Sequence, residues 1–170
     1  MKLKNIYKKK PLSELLIYSA ILISGILADQ ITKLLAVKYL MPVHSVALWD
    51  EVLHLTYVEN RGAAFGMLAD APWIFNTVSI VTVIIVLGYL YLGHAETRLY
   101  AVSLAMIASG GIGNLIDRLS LGYVVDFIDF TLIDFAVFNG ADSFVCVGAG
   151  LLMLALILDI VKQRREEGEK

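Results

Sequence analysis

Four long apolar stretches, parted by polar links, set the frame of the chain. Residues 12–37, 73–92, 99–116 and 143–158 come close to the roughly 20 mostly apolar residues that carry a helix across a bilayer. The second and third are free of charge, the first is interrupted by Asp29 and Lys33, and the fourth begins directly after Asp142. The pattern predicts an all-α membrane protein of four transmembrane helices. Between the first two stretches the period changes. "SVALWDEVLHLTYVEN", residues 45–60, alternates in part, is rich in Val, Leu, Thr, Tyr and Trp, and carries Asp50 and Glu51 between two short runs. That texture predicts a β-hairpin at the membrane surface, either a platform for an extended peptide or a cap that shields the bundle.

Composition strengthens the membrane reading. The 170 residues are 58% hydrophobic and 18% charged, with a mean hydropathy of +0.74, against roughly 45–50% apolar usage in soluble domains. The net charge of −2 matters less than its distribution. Ten of the fourteen lysines and arginines fall in the amino-terminal tail, the "GHAETR" link and the carboxyl-terminal tail, all on one side if there are four crossings. Both termini are therefore expected in the cytoplasm, with residues 38–72 and 117–142 outside. Residues 1–11 form a basic cytoplasmic tail suited to anionic-lipid contact and residues 159–170 a charged one, on a single membrane domain spanning 1–170. The start, "KKKPLSELLIYSAILISGILA", also has the basic and apolar regions of a secretory signal. Its removal would leave three spans and a basic tail outside, so it is taken as a retained first helix.

A few polar residues carry the candidate chemistry. Asp29 and Lys33 are four apart on one helix face, an ion pair that makes two costly side chains tolerable. In "ASGGIGNLIDRL" the glycines at 110, 111 and 113 allow close helix approach. Asn114, Asp117 and Arg118 follow at the outer end of that helix, with Asp117 expected to stay ionised beside the Arg118 guanidinium. Asp126, in "YVVDFID", has apolar neighbours and no cation within seven residues, so desolvation should raise its pKa. Asp142 lies at the mouth of the fourth stretch, where it could act as a helix N-cap. If residues 126–142 fold back along the membrane surface, the carboxyls of Asp126 and Asp142 can meet. Two such groups share one proton and titrate as a unit. One then takes a proton from water while the other donates to the carbonyl or leaving amine, which is aspartic peptidase chemistry and needs no metal or cofactor.

Other chemistries fit less well. His44, His54 and His94 lack ligand-like spacing, and there is no nucleophile elbow, phosphate-binding glycine loop or basic face for nucleic acid. Asp129 and Asp134 read as solvated interfacial residues. Cys146 excludes an internal disulfide and is expected as a small buried hydrophobe. A small proton- or cation-coupled transporter with Asp29, Lys33, Asp117 and Asp126 as a relay is the alternative, and a structural assembly factor a third.

Five blocks, "DQITK" (29–33), "NRGAAFG" (60–66), "GNLIDR" (113–118), "VVDF" (124–127) and "FNGADS" (138–143), resemble in order and approximate spacing the signatures of bacterial lipoprotein signal peptidase, or signal peptidase II. The resemblance implies an inner-membrane aspartic endopeptidase that removes signal peptides from prolipoproteins, cutting just before a diacylglyceryl-modified cysteine. It puts the catalytic pair at Asp126 and Asp142, and substrate-holding or supporting groups at Asn60, Gly62, Asn114, Arg118 and Asn139, with Asp29, Lys33 and Asp117 as support. It also implies inhibition by the peptide antibiotic globomycin, and tilts the 45–60 hairpin towards a substrate-cradling role. One departure is Ala136 in "FAVFN", where the family pattern has proline.

A singly protonated pair predicts a bell-shaped pH–rate profile. A profile flat from about pH 4 to about 9, with chemistry rate-limiting, would rule the mechanism out.

Overall fold

The computed structural model describes residues 10–62, 72–95, 97–133 and 135–168, with Pro72 and Phe75 by their backbone alone. Residues 1–9 of the basic tail, residues 63–66 of the "NRGAAFG" block and Asp134 lie outside the described residues. The four apolar stretches form helices α1 (Leu12–Tyr39), α2 (Pro72–Tyr91), α3 (Arg98–Ser120) and α4 (Gly140–Gly168). Among these, α1, α3 and α4 are long and apolar enough to cross a membrane, while the described apolar stretch of α2, Asn76–Tyr91, is shorter. Large side chains such as Leu16, Ile23, Leu34 and Leu154 stand exposed on the bundle surface, as expected where the surrounding solvent is hydrocarbon. Helix α4 runs past the apolar stretch and carries most of the charged segment that begins at residue 159, ending at Gly168.

Local signals explain the helix ends. Thr97 caps α3, its hydroxyl accepting from the Tyr100 amide at 3.3 Å. In α1, Glu14 lies in the first turn and Lys38 in the last, each complementing the helix dipole. Glu14 is also 3.6 Å from Arg98, and the Tyr100 hydroxyl donates to Asp159 at 2.9 Å. These contacts gather the start of α1, the start of α3 and the far end of α4 at one end of the bundle.

The opposite end carries an antiparallel sheet in the order β1-β2-β3. Strands β1 (Ser45–Trp49) and β2 (Leu53–Asn60) are the expected hairpin, turning through Glu51 at a left-handed φ of 59°. The third strand, β3 (Val124–Asp129), was not anticipated and pairs with β2. Phe138 then folds back onto Ile128, exchanging amide bonds of 2.8 and 3.0 Å, so the return of the 126–142 segment takes place.

Helix α3 is the centre of the bundle, packing against α1, α2 and α4. Small residues make this possible. A Cβ on Gly110 would strike the Ala141 carbonyl, and one on Gly113 would lie 2.5 Å from Asp29 Oδ2. That closeness brings polar groups of α1 and α3 together. Lys33 Nζ lies 2.9 Å from Asp29 and 3.0 Å from Asp117, and donates to Asn114 Oδ1 at 2.8 Å. Lys33, Asp29, Asp117 and Asn114 are all buried. Asp117 interacts electrostatically with the adjacent Arg118, as expected, and the ammonium of α1 is a second partner, reached across the glycine gap.

Removing one member of a buried ion pair leaves an uncompensated charge, which costs about 3–5 kcal/mol. Lys33→Met is therefore expected to lower the apparent melting temperature in detergent sharply. Overpacking costs about 1–3 kcal/mol, so Gly113→Ala should also destabilise, whereas Gly150→Ala, where an added Cβ meets nothing, should leave melting unchanged.

Candidate active site

Strand alternation decides which way Asp126 faces. Val125 and Phe127 join an apolar cluster with Ala36, Leu40 and Leu55, so Asp126, between them, points to the other side of the sheet. Val58 is its direct partner on β2. Asn60, two residues further along β2, is its diagonal neighbour on the same face, and Asn60 Nδ2 donates to Asp126 Oδ2 at 2.8 Å. The Asn60 oxygen is occupied in turn, accepting from the Gly62 amide at 3.0 Å.

Asn139 supplies the other half. It immediately precedes α4, and its Oδ1 accepts from the Asp142 amide at 3.0 Å while Asp142 Oδ2 accepts from the Asn139 amide at 3.2 Å. This is a capping box. Asp142 is thus the third residue of α4's first turn, not the N-cap, because Asn139 already fills that role. The remaining Asn139 nitrogen, Nδ2, donates to Asp126 Oδ1 at 2.6 Å and approaches Asn114 Oδ1 at 3.0 Å. Asn114 Nδ2 donates to Asp142 Oδ1 at 2.7 Å. Each of the four oxygens on Asp126 and Asp142 therefore accepts one N–H from Asn60, Asn114 or Asn139. Every one of these amides has its own oxygen held by a donor, which fixes its orientation.

Burial pushes the Asp126 carboxyl up to about 6, helped by the charge of Asp142 and opposed by the hydrogen bonds from Asn60 and Asn139 and the charge of Lys33. Between about pH 4 and 6 the folded protein then holds a proton the unfolded chain has lost, so Asp126's contribution to stability declines as pH rises through that window.

Both carboxyls open into a cavity of about 570 Å³. Asn60, Gly62, Arg118, Asp126 and Asp142 line its polar part, with Arg118 close enough to act electrostatically on both carboxylates. The segment Phe135 to Phe138 and the α4 residues Ser143, Cys146 and Val147 form the remaining wall. Ala136 stands within that wall, where proline was expected. Cys146 is exposed there, not buried, because its face of α4 turns to the cavity instead of to α3.

All ten residues singled out from the sequence thus fall in one connected region. Asn60, Gly62, Arg118, Asp126 and Asp142 line the cavity, while Asn114, Asn139, Asp29, Lys33 and Asp117 lie behind it. Asp129, read as a solvated interfacial residue, is half-buried at the edge of the sheet and accepts from the Thr56 hydroxyl at 2.7 Å. Gln30 was missed: its Nε2 lies 3.2 Å from Asp29 Oδ2, 3.2 Å from the Gly113 carbonyl and 3.0 Å from Asp117 Oδ1. An amide beside a charged pair in an apolar helix was the available signal.

Comparison with known proteins points the same way. Residues 21–158 match the family described as Signal peptidase (SPase) II. A lipoprotein signal peptidase of Caldanaerobacter subterraneus subsp. tengcongensis is 56% identical over 129 residues, covering 76% of this chain and 88% of that protein. One of Halalkalibacterium halodurans is 43% identical over 158 residues, covering 89% and 99%. Among solved structures, a bacterial membrane enzyme determined by the in meso method at 2.3 Å resolution superposes with a TM-score of 0.76 at 29% identity, covering 91% of this chain and 93% of that one. Family match, relatives and fold agree: the chain belongs to the signal peptidase II family of membrane peptidases.

Proposed function

We propose that this protein removes signal peptides from diacylglyceryl-modified prolipoproteins by aspartic catalysis, cleaving immediately before the lipid-bearing cysteine. The single observation that carries the mechanism is the pair of carboxyls, Asp126 and Asp142, held by asparagine amides and opening into one cavity with apolar walls. In this reading the scissile peptide lies across the cavity with a water between the carboxyls. The ionised carboxylate takes a proton from that water as it attacks the carbonyl carbon. The protonated partner donates to the carbonyl oxygen; the C–N bond then breaks as the proton taken first passes to the leaving amine and a hydroxyl of the tetrahedral species returns a proton to the partner, restoring the singly protonated pair. Asn60, Asn114 and Asn139 hold the pair in register, and Arg118 holds substrate carbonyls or offsets the negative charge of the site. No metal or cofactor takes part.

The same reading places four helices across the bacterial inner membrane, with both termini cytoplasmic and the catalytic end on the outer face. The whole chain acts as one membrane peptidase domain. A lipid-anchored substrate presents its cleavage site at that surface, and the sheet cradles its extended segment. Globomycin-type peptides are expected to compete for the cavity. A proton relay fits poorly, since the candidate acids gather at one end of the bundle instead of tracing a path through it.

Purified protein in detergent should cleave a diacylglyceryl-modified prolipoprotein. Asp126→Asn and Asp142→Asn should each lower kcat by about 10²–10⁴-fold, with Asp129→Asn close to wild type. Normal cleavage by either dyad variant would overturn the assignment. The pH profile follows from the shift at Asp126: the descending limb of kcat/KM is expected near pH 6, where the free enzyme gives up the shared proton. In kcat the limb should move higher, because bound lipid and peptide exclude water from the pair.

A further inference from the structure

A second cavity, of about 300 Å³, lies behind β3 and has no role in the chemistry above. One wall is the face of α1 bearing Thr32, Leu35, Ala36 and Tyr39; the other includes Leu55 of β2 and Phe127 of β3. Its surface is almost entirely hydrocarbon. Even Thr32 conforms, since its hydroxyl is turned back to donate to the carbonyls of Ala28 and Asp29 at 2.9 and 2.8 Å. The groove follows α1 for about two turns, or about 10 Å, ending near the helix's last turn. An apolar slot of this kind does not hold water, and in a membrane protein the available filler is an acyl chain.

The rim carries a charge. Lys38 is exposed and forms no ion pair among the described residues. Its Nζ sits 5.1 Å from the ring centroid of Tyr39, which itself lines the groove. A cation at the helix end with a hydrocarbon slot running from it towards the membrane interior matches a phospholipid laid along α1, phosphate at Lys38 and acyl chain towards Thr32. We propose that this groove is a site for one anionic phospholipid of the leaflet nearest the sheet. Phe127 adjoins Asp126 and points to the opposite face of β3, so the bound chain supports from behind the strand that carries the carboxyl. The inference goes beyond the peptidase reading and rests only on the membrane placement.

The test uses a Trp49→Phe, Trp73→Phe background, both tryptophans being exposed, with Leu35→Trp as a reporter in the groove. The full chain is placed in phosphatidylcholine vesicles containing a small fraction of brominated phosphatidylglycerol or, separately, the same fraction of brominated phosphatidylcholine. A single lysine near the surface is expected to enrich the anionic lipid about fivefold, so its quenching should correspond to about fivefold its bulk fraction, while the zwitterionic lipid quenches at its bulk fraction. Lys38→Glu should abolish the preference and Lys38→Arg retain it. Equal quenching by both lipids, or a preference untouched by Lys38→Glu, would overturn the proposal. So would relief of quenching by a diacylglyceryl-modified peptide, which would make the groove a substrate site. Because the readout is fluorescence, failure of the peptidase reading leaves it intact.

Discussion

The polar interior of this protein depends on one ammonium group. Lys33 directs its protons at Asp29, Asp117 and Asn114, and each of these reaches onward. Asp29 Oδ1 accepts the Ala141 amide of α4 at 2.8 Å. Asp117 Oδ2 accepts the Val125 amide of β3 at 3.0 Å. Asn114, with its oxygen drawn to the ammonium, turns its nitrogen to Asp142. A single cation thus ties α1 to α3, to the start of α4 and to β3. Buried charges are tolerable only when paired and fully hydrogen-bonded, and that requirement fixes the relative placement of four elements to within hydrogen-bond tolerances.

The pair of carboxyls inherits this precision. Asparagine can present either an oxygen or a nitrogen, and its choice follows its firmest partner. Lys33 settles Asn114, the Asp142 amide settles Asn139, and the Gly62 amide settles Asn60. All three then offer nitrogen to the carboxyls. Two influences oppose each other at Asp126: burial and the neighbouring carboxylate favour the neutral acid, whereas the donated hydrogen bonds and Lys33 favour the anion. The balance near pH 6 keeps a proton within easy exchange at near-neutral pH, the condition an acid–base pair requires.

Much of this was legible in the sequence, for identifiable reasons. Long apolar runs mark helices whatever the tertiary context, and an aspartate among Val and Phe without a nearby cation marks a desolvated acid. The hairpin at 45–60 could be read because alternation and the Asp50–Glu51 turn are local signals. β3 could not, because "VVDFID" is buried on both faces at its start and so loses the alternation that betrays a strand. The capping box was misassigned by one turn because Asn139 and Asp142 both favour helix starts, and only the fold-back through Phe138 decides between them. Cys146 was misjudged because an apolar run does not reveal which helix face borders a cavity. Gln30 escaped notice because its importance lies in acceptors 83 and 87 positions away.

In the proposed mechanism Asp126 and Asp142 together surround the reacting carbonyl while the asparagines stay fixed. A transition-state mimic tests it most directly, since groups that stabilise the tetrahedral species should bind its stand-in. The measurement is a crystal structure of the protein with a lipidated peptide whose scissile amide is replaced by a hydroxyl-bearing carbon. That hydroxyl is expected within about 3.2 Å of a carboxyl oxygen of each aspartate, with Asn60, Asn114 and Asn139 keeping their present partners. A hydroxyl seated away from either carboxyl would contradict the mechanism.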